Sequence, residues 1–240
     1  LHTATHEEHA LARREIKIAQ GHRGFRLEFG PEISLEDDLA RRDLTINAMA
    51  LSASGHLIDP FGGASDLRTR QLRHVTEAFV EDPLRVWRAA QFAARLAPLG
   101  FAVHDDTYRL MRDMCQREDF KTLASSKVWA ETCKALNAGG TRVFLSVLWG
   151  TGALISCLKA QQEIAFEERL SDFWLGSADQ LTATEQLIGF SLFLNNEHPG
   201  NDIHIDLLTG LGAPKTIVET ARLGASIYAD LRKSTDSARA

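Results

Sequence analysis

Two short stretches of this chain combine charged side chains in ways that can do chemistry. Arg41, Arg42 and Asp43 crowd two guanidinium groups and a carboxylate directly ahead of the apolar run from Thr45 to Leu51. Charge at the edge of a core is costly unless an anion or a carboxylate neutralises it. The cluster therefore reads either as an anion-binding place or as a surface ion-pair network that uses Glu36 and Asp38. The second stretch is Glu81-Asp82-Pro83-Leu84-Arg85-Val86-Trp87-Arg88, in which Asp82 and Arg85 are helix neighbours and Arg88 shares roughly their face. An Asp beside an Arg sets an acceptor next to a donor. Such a pair can imitate a complementary base, Arg donating to ring acceptors and Asp accepting from an exocyclic amine. The plainer reading of the same residues is a capping Asp with an i,i+3 ion pair. Trp87, Phe92 and Phe79 offer flat faces for stacking a base, but their spacing also fits a buried helix face, and packing is the preferred reading.

The elements that must hold these residues can be read from pattern. Residues 6–30 read as β: Phe25-Arg26-Leu27-Glu28-Phe29 alternates like a half-buried strand, glycines 21 and 24 loosen the connection before it, and Pro31 ends it. Ser34-Leu35-Glu36-Asp37 opens a helix with a hydroxyl cap and a carboxylate three residues on, running to about Arg42. The run after Asp43 reads as a buried apolar strand, Leu57-Ile58 as its short partner, and Ala64 to Arg70 as a short helix. Asp82-Pro83 is a strong helix start, with four apolar turns continuing to Pro98 and Gly100. Further helices are expected near 105–116, 126–137, 141–150, 153–168, 182–195, 203–210 and 214–232. The shift in character near residue 70 marks a domain boundary.

Composition narrows the class. With 240 residues, 44% hydrophobic, 25% charged and only six prolines, the chain is neither collagen-like nor disordered, and one large or two small domains is the expectation. No apolar run approaches the ~20 residues that span a bilayer, so no membrane partner is expected. Cys115, Cys133 and Cys157 are odd in number and far apart, which fits a reducing, cytoplasmic compartment. The net charge of −5 argues against a nonspecific nucleic-acid coat, though not against a local phosphate site. Twelve of the thirteen basic side chains in the first hundred residues are Arg, Lys17 being the exception. The planar Arg fork suits phosphates and base edges, although a GC-rich coding bias gives the same count. His2, His6 and His9 lack metal-ligand spacing, so no zinc is expected.

Taken together, Arg41-Arg42-Asp43 with Thr45-Ile46-Asn47-Ala48, then Ile58-Asp59-Pro60-Phe61-Gly62-Gly63, Asp66-Leu67, Leu72-Arg73-His74-Val75, and Glu81 to Arg88 with Phe92-Ala93-Ala94-Arg95 form one ordered series. The series resembles the bacterial tRNA nucleotidyltransferase and poly(A) polymerase family, the class II CCA-adding enzymes. Thr5-His6-Glu7-Glu8-His9-Ala10-Leu11-Ala12-Arg13 is similar to their gammaproteobacterial members. The resemblance is dense over residues 1 to about 150 and thins beyond to fragments such as Leu211-Gly212-Ala213-Pro214-Lys215.

The resemblance implies an α+β fold with a partial nucleotidyltransferase head, a few β-strands plus helices, over 1–70. A helical neck that recognises the base would follow over 71–150, and a divergent helical body and tail that binds tRNA over 151–240. The implied activity is template-independent addition of CMP and AMP to the 3′ end of tRNA from CTP and ATP, with Mg²⁺. Asp82 and Arg85 match the family's amino-acid template for the base, with Glu81 orienting the Arg. Arg42 and Asp43 match residues near the sugar and phosphates, Arg88 another nucleotide contact, and Glu8 a third catalytic carboxylate of the head. Gln91 stands where close relatives have another nucleotide-contacting Arg. The family's glycine-rich turn and paired metal-binding aspartates are expected upstream of Leu1, so these residues alone are expected to be inactive. Ser191 to Asn196 carries no His-Asp phosphohydrolase motif. A poly(A) polymerase of the same family and a noncatalytic RNA-binding remnant are the rival readings, the negative net charge leaning mildly against a processive tailing enzyme.

Overall fold

Helices packed around a central Ala-rich one make up most of the structure, a computed structural model that describes residues 11–17, 25–30, 32–158, 182–197 and 202–237. The architecture is α+β with few strands, as the sequence implies. Three two-stranded sheets occur among the described residues. In the first, β1 (Arg13–Lys17) runs antiparallel to β2 (Phe25–Phe29), with Arg13 opposite Phe29. Next comes α1 (Leu35–Ala40), opened by a reciprocal cap: Ser34 Oγ accepts from the Asp37 N–H at 3.0 Å, and Asp37 Oδ2 accepts from the Ser34 N–H at 3.2 Å.

The stretch read as a buried apolar strand after Asp43 folds differently. Thr45–Asn47 is a 3₁₀ turn, and only Ala50–Leu51 (β3) is extended, antiparallel to β4 (Leu57–Ile58). Thr45 is held from two sides: its N–H donates to the Arg73 carbonyl at 2.9 Å and its hydroxyl to buried Asp66 at 2.8 Å. The helix that follows, α2 (Gly63–Thr69), lies so close that a Cβ at Gly63 would collide with the Thr45 carbonyl. Asp59 caps α2 by accepting from the N–H groups of Gly63 and Ala64 at 2.7 and 2.9 Å.

The central element is α3 (Leu84–Leu96). Its helix begins one residue later than Asp82-Pro83 suggests, and Asp82 caps it from outside by accepting from the Leu84 N–H at 3.0 Å. Parallel strands β5 (Gln71–Leu72) and β6 (Ala102–Val103) flank it, and α4 (Asp105–Cys115), α5 (Ser125–Asn137) and α6 (Thr141–Gly150) follow. Ala89, Ala90, Ala93 and Ala94 are all buried, and these small side chains admit close neighbours. A Cβ at Gly140, just ahead of α6, would strike the Ala94 backbone. Trp87 fills the layer between helices, its ring stacked on Phe120 (6.4 Å, 14°) and tilted against Phe144 (6.4 Å, 52°).

The core continues into α7 (Ala183–Glu197), α8 (Ile203–Gly210) and α9 (Lys215–Ser237) through Leu187, Phe190, Ile203, Leu207, Leu211 and Ala221. Of the helix expected over 153–168, the described part is a 3₁₀ turn at Ile155–Cys157, and the remainder falls outside the described residues. Among the described residues no helix is long and apolar enough to cross a membrane.

His204 in α8 is 3% exposed, and among the described residues neither ring nitrogen has a hydrogen-bond partner. Burial, aided by nearby Arg222 and opposed by Asp202 and Asp206, pushes its pKa below the ordinary value. The folded protein thus keeps this ring neutral while the unfolded chain takes a proton near pH 6.5. The resulting stability is complete above that pH and is lost as pH falls below it. His204→Leu removes the orphaned polar atoms and should raise stability near neutral pH by about 1 kcal/mol. Urea unfolding midpoints between pH 5 and 7.5 would check this: the parent should gain stability across the range, and the variant should change less.

Candidate functional site

A cleft of about 740 Å³ opens where the end of α1, the 45–47 turn and the first two turns of α3 meet. Arg42, Asp43, Asp82, Arg85 and Arg88, picked out from sequence, all line it, and Arg13, Arg41, Asn47 and Phe92 complete much of the wall. Five arginines and two aspartates are in that lining, an excess of positive charge.

The floor is organised by Asp38 on α1. This carboxylate is 8% exposed and accepts from the Arg13 backbone N–H (3.3 Å), from Arg41 Nε and Nη2 (3.0 and 2.7 Å) and from Arg42 Nη2 (3.4 Å). Burial pushes the Asp38 carboxyl up, but Arg41, the Arg13 N–H and Arg42 outweigh it and hold it below the usual carboxylate value. Part of the ion-pair network entertained from sequence is therefore real, and it holds the Arg41 and Arg42 side chains beside the same opening. The i,i+3 and i,i+4 spacing of those two from Asp38 was the signal available for it.

Asp43 is the second anchor, 5% exposed. Its Oδ1 accepts from the Leu44 N–H at 2.9 Å and from Asn47 Nδ2 at 3.0 Å; its Oδ2 accepts from Arg88 Nε at 2.8 Å and faces Arg88 Nη2 at 2.6 Å. Each oxygen thus carries two donors, close to a carboxylate's full capacity. Burial again pushes this carboxyl up, and Arg88 with the Asn47 and Leu44 donors brings it below the ordinary value. Burial alone would lower the Arg88 pKa, but Asp43, then Glu131 and Asp82, keep the guanidinium more firmly protonated than usual. Arg42 also donates to the Asn47 carbonyl at 2.9 Å, so the 3₁₀ turn that replaced the expected strand supplies two of the cleft's internal bonds.

Arg85 is 7% exposed and its guanidinium spans two segments. Nη1 donates to the Ala78 carbonyl at 3.0 Å and Nη2 to the Arg41 carbonyl at 2.7 Å. Two of its five N–H bonds are committed there, and the side chain still contributes to the cleft wall. Asp82 stands beside it, half-buried at the mouth of the helix, with Oδ1 on the Leu84 N–H. Both residues line the same cleft.

The aromatic trio divides. Trp87 and Phe79 are buried in the core, whereas half-buried Phe92 reaches the cleft. Gln91 is 4% exposed and is not part of the cleft lining. Glu8, the Gln20 to Gly24 connection and the His2, His6 and His9 group lie outside the described residues. Among the described residues no three His, Cys, Asp or Glu side chains gather as a metal cage, and the buried carboxylates beneath the cleft are already spanned by guanidinium groups. The described residues therefore do not fit Mg²⁺.

Residues 2–73 match the poly A polymerase head domain family. Over 154 residues the chain is 54% identical to the multifunctional CCA protein of Vibrio campbellii, covering 64% of this chain and 38% of that protein. The chain thus spans well under half the length of the curated relatives it matches. Among solved structures, a tRNA-processing enzyme with CTP aligns at a TM-score of 0.63 and 26% identity, covering 85% of this chain and 58% of that one. The Bacillus stearothermophilus CCA-adding enzyme in complex with CTP aligns at 0.57 and 27%, covering 85% and 49%.

Proposed function

We propose that this chain, whose residues 2–73 match the poly A polymerase head domain family and which is 54% identical over 154 residues to a multifunctional CCA protein, serves the addition of CMP and AMP to tRNA 3′ ends from CTP and ATP. The observation that carries the reading is the convergence of Arg42, Asp43, Asp82, Arg85 and Arg88 on one arginine-rich cleft. In this reading residues 1–70 belong to a catalytic head, 71–150 to a neck that selects the base, and 151–240 to a body that holds tRNA.

In this reading Arg41 and Arg42, held by Asp38, form with Arg13 a cationic rim for the triphosphate. Asp82 accepts from the exocyclic amine of C or A while Arg85 donates to the neighbouring ring nitrogen; G and U present a carbonyl there and are rejected. Asp43, whose oxygens are already filled, acts by fixing Arg88 and Asn47 at the nucleotide's edge. Glu8 is assigned the part of a further head carboxylate. Mg²⁺ belongs to the reaction as the expected cofactor, and no role for it is drawn from these residues.

The test is direct. The gene product that contains this chain is given tRNA lacking its 3′ end, Mg²⁺ and one labelled nucleotide at a time. Incorporation of C and then A, ending there, is the expected result. The family match also covers tailing enzymes, and an unending run of A would assign the chain to them. Binding of tRNA with no incorporation would identify a noncatalytic RNA-binding protein.

A further inference from the structure

The last carbonyls of a helix have no partner inside it and must find donors elsewhere. The segment that leads into α3 ends in this way. It is a 3₁₀ turn over Glu77–Glu81, and two guanidinium groups from separate parts of the chain serve its carbonyls. Arg85 on α3 donates to the Ala78 carbonyl at 3.0 Å. Arg117, two residues past the end of α4, donates through Nη1 to the Val80 carbonyl, also at 3.0 Å. Arg117 is outside the cleft lining. The rest of its fork is held by Asp119, with Nε on Oδ1 at 3.1 Å and Nη2 on Oδ2 at 2.7 Å. A two-point pair of this kind fixes the plane of the guanidinium as well as its position.

The pair is rooted in the core. Phe120, next in sequence to Asp119, is 2% exposed and its ring is stacked on Trp87 of α3. The contacts close a loop that begins and ends on α3. It runs from Trp87 through Phe120 and Asp119 to Arg117, across to Val80, and on to Asp82, whose Oδ1 accepts from the Leu84 N–H at 3.0 Å. Asp82 is two residues beyond the carbonyl that Arg117 holds. Reading a base edge requires the acceptor and the donor to be held to about 0.5 Å. The two bonds of Arg85 tie it to Ala78 and Arg41 and do not set the course of the chain from Ala78 to Asp82. The bond from Arg117 does. We propose that Arg117 is a positioning residue for base selection, holding the Val80 carbonyl so that the Asp82 carboxylate meets the base without Arg117 touching the nucleotide. This rests on the function proposed above and deepens it by naming a residue outside the cleft that governs which base is taken.

The test measures nucleotide binding by the gene product that contains this chain. CTP and UTP share sugar and triphosphate and differ at the base edge, an amine in one and a carbonyl in the other. The ratio of their affinities therefore reports where Asp82 stands. Arg117→Ala should lower the preference for CTP over UTP about fivefold, mainly by weakening CTP. Asp119→Ala leaves the guanidinium in place but frees its orientation, and should lower the preference about twofold. Asp82→Ser keeps a hydroxyl to cap α3 but withdraws the carboxylate. Adding Arg117→Ala to Asp82→Ser should change the ratio no further, because the group it acts through is gone. Thermal melts accompany every variant, and should Arg117→Ala not fold, Asp119→Ala carries the test, alone and beside Asp82→Ser. A lower melting temperature with the preference unchanged would make Arg117 a structural residue only and overturn the proposal. A loss that persists in full beside Asp82→Ser would overturn it too, by placing its action elsewhere. Failure of the wider reading shows before any variant is made, as a parent with no preference for CTP over UTP, and it would overturn the positioning role as well.

Discussion

Arg85→Ala is expected to erase the preference for CTP and ATP over GTP and UTP while leaving tRNA affinity within about threefold of the parent, the loss of a charge-assisted pair to the base being worth roughly 1.5–3 kcal/mol. The guanidinium is nearly enclosed, so nothing from solvent can substitute for it. The same substitution strands the Ala78 and Arg41 carbonyls, each of which then lacks the donor it has at 3.0 and 2.7 Å. Unsatisfied groups of this kind cost about 1–3 kcal/mol, so a fall in melting temperature should accompany the loss of selectivity. Arg85→Lys separates the two effects. Its ammonium retains the charge but cannot span two carbonyls and a base edge at once, so it should recover part of the stability and little of the discrimination. Nucleotide competition assays with a parallel thermal melt make the comparison. Unchanged discrimination with weakened tRNA binding would rule out the base-imitating role.

The second large effect is expected from Asp43→Asn. An amide there keeps the shape but removes the charge and turns one donor toward the Arg88 guanidinium. Arg88 is 39% exposed, so leaving it without its partner costs less than the loss from a fully buried pair, about 1–2 kcal/mol. The substitution should also change the response to acid. The folded-state pKa of Asp43 lies below its ordinary value, so its contribution is present above about pH 4, the unfolded carboxyl's range, and disappears as pH falls through the folded value. Asp38 behaves in the same sense. Chemical denaturation from pH 7 down to 3 should therefore show a shallower acid loss in Asp43→Asn than in the parent, from a lower starting stability. A variant as stable as the parent at pH 7 would mean that the Arg88 pair holds nothing together.

What was legible beforehand follows the range of the interactions. The Ser34 and Asp37 cap, the short helix after Gly62 and the helices ending near Asn137 and Gly150 depend on neighbours in sequence, and they were readable. The 45–47 turn was not. An apolar run of that length fits a strand equally well, and the choice is made by the Arg73 carbonyl and Asp66, which arrive from 28 and 21 residues away. The five nucleotide candidates were found by type and order, yet their bonding was hidden. Nothing local says that Asp43 is saturated by Arg88, 45 residues on, or that Arg85 reaches back 44 residues to the Arg41 carbonyl. Phe92 and Trp87 look alike in sequence; their fates differ because Phe120 and Phe144 cover one of them and not the other.

The double anchoring of Arg85 has a consequence for accuracy. One end of its fork is fixed to the stretch after α1 and the other to the stretch before α3, so, in the proposed role, the tilt of the plane that would meet the base is dictated by how far apart those two backbones stand. Any drift between them would misalign the fork well before the protein came apart. Errors in the chosen nucleotide could then arise from substitutions remote from the opening, wherever they alter that gap, with affinity for the nucleotide hardly touched.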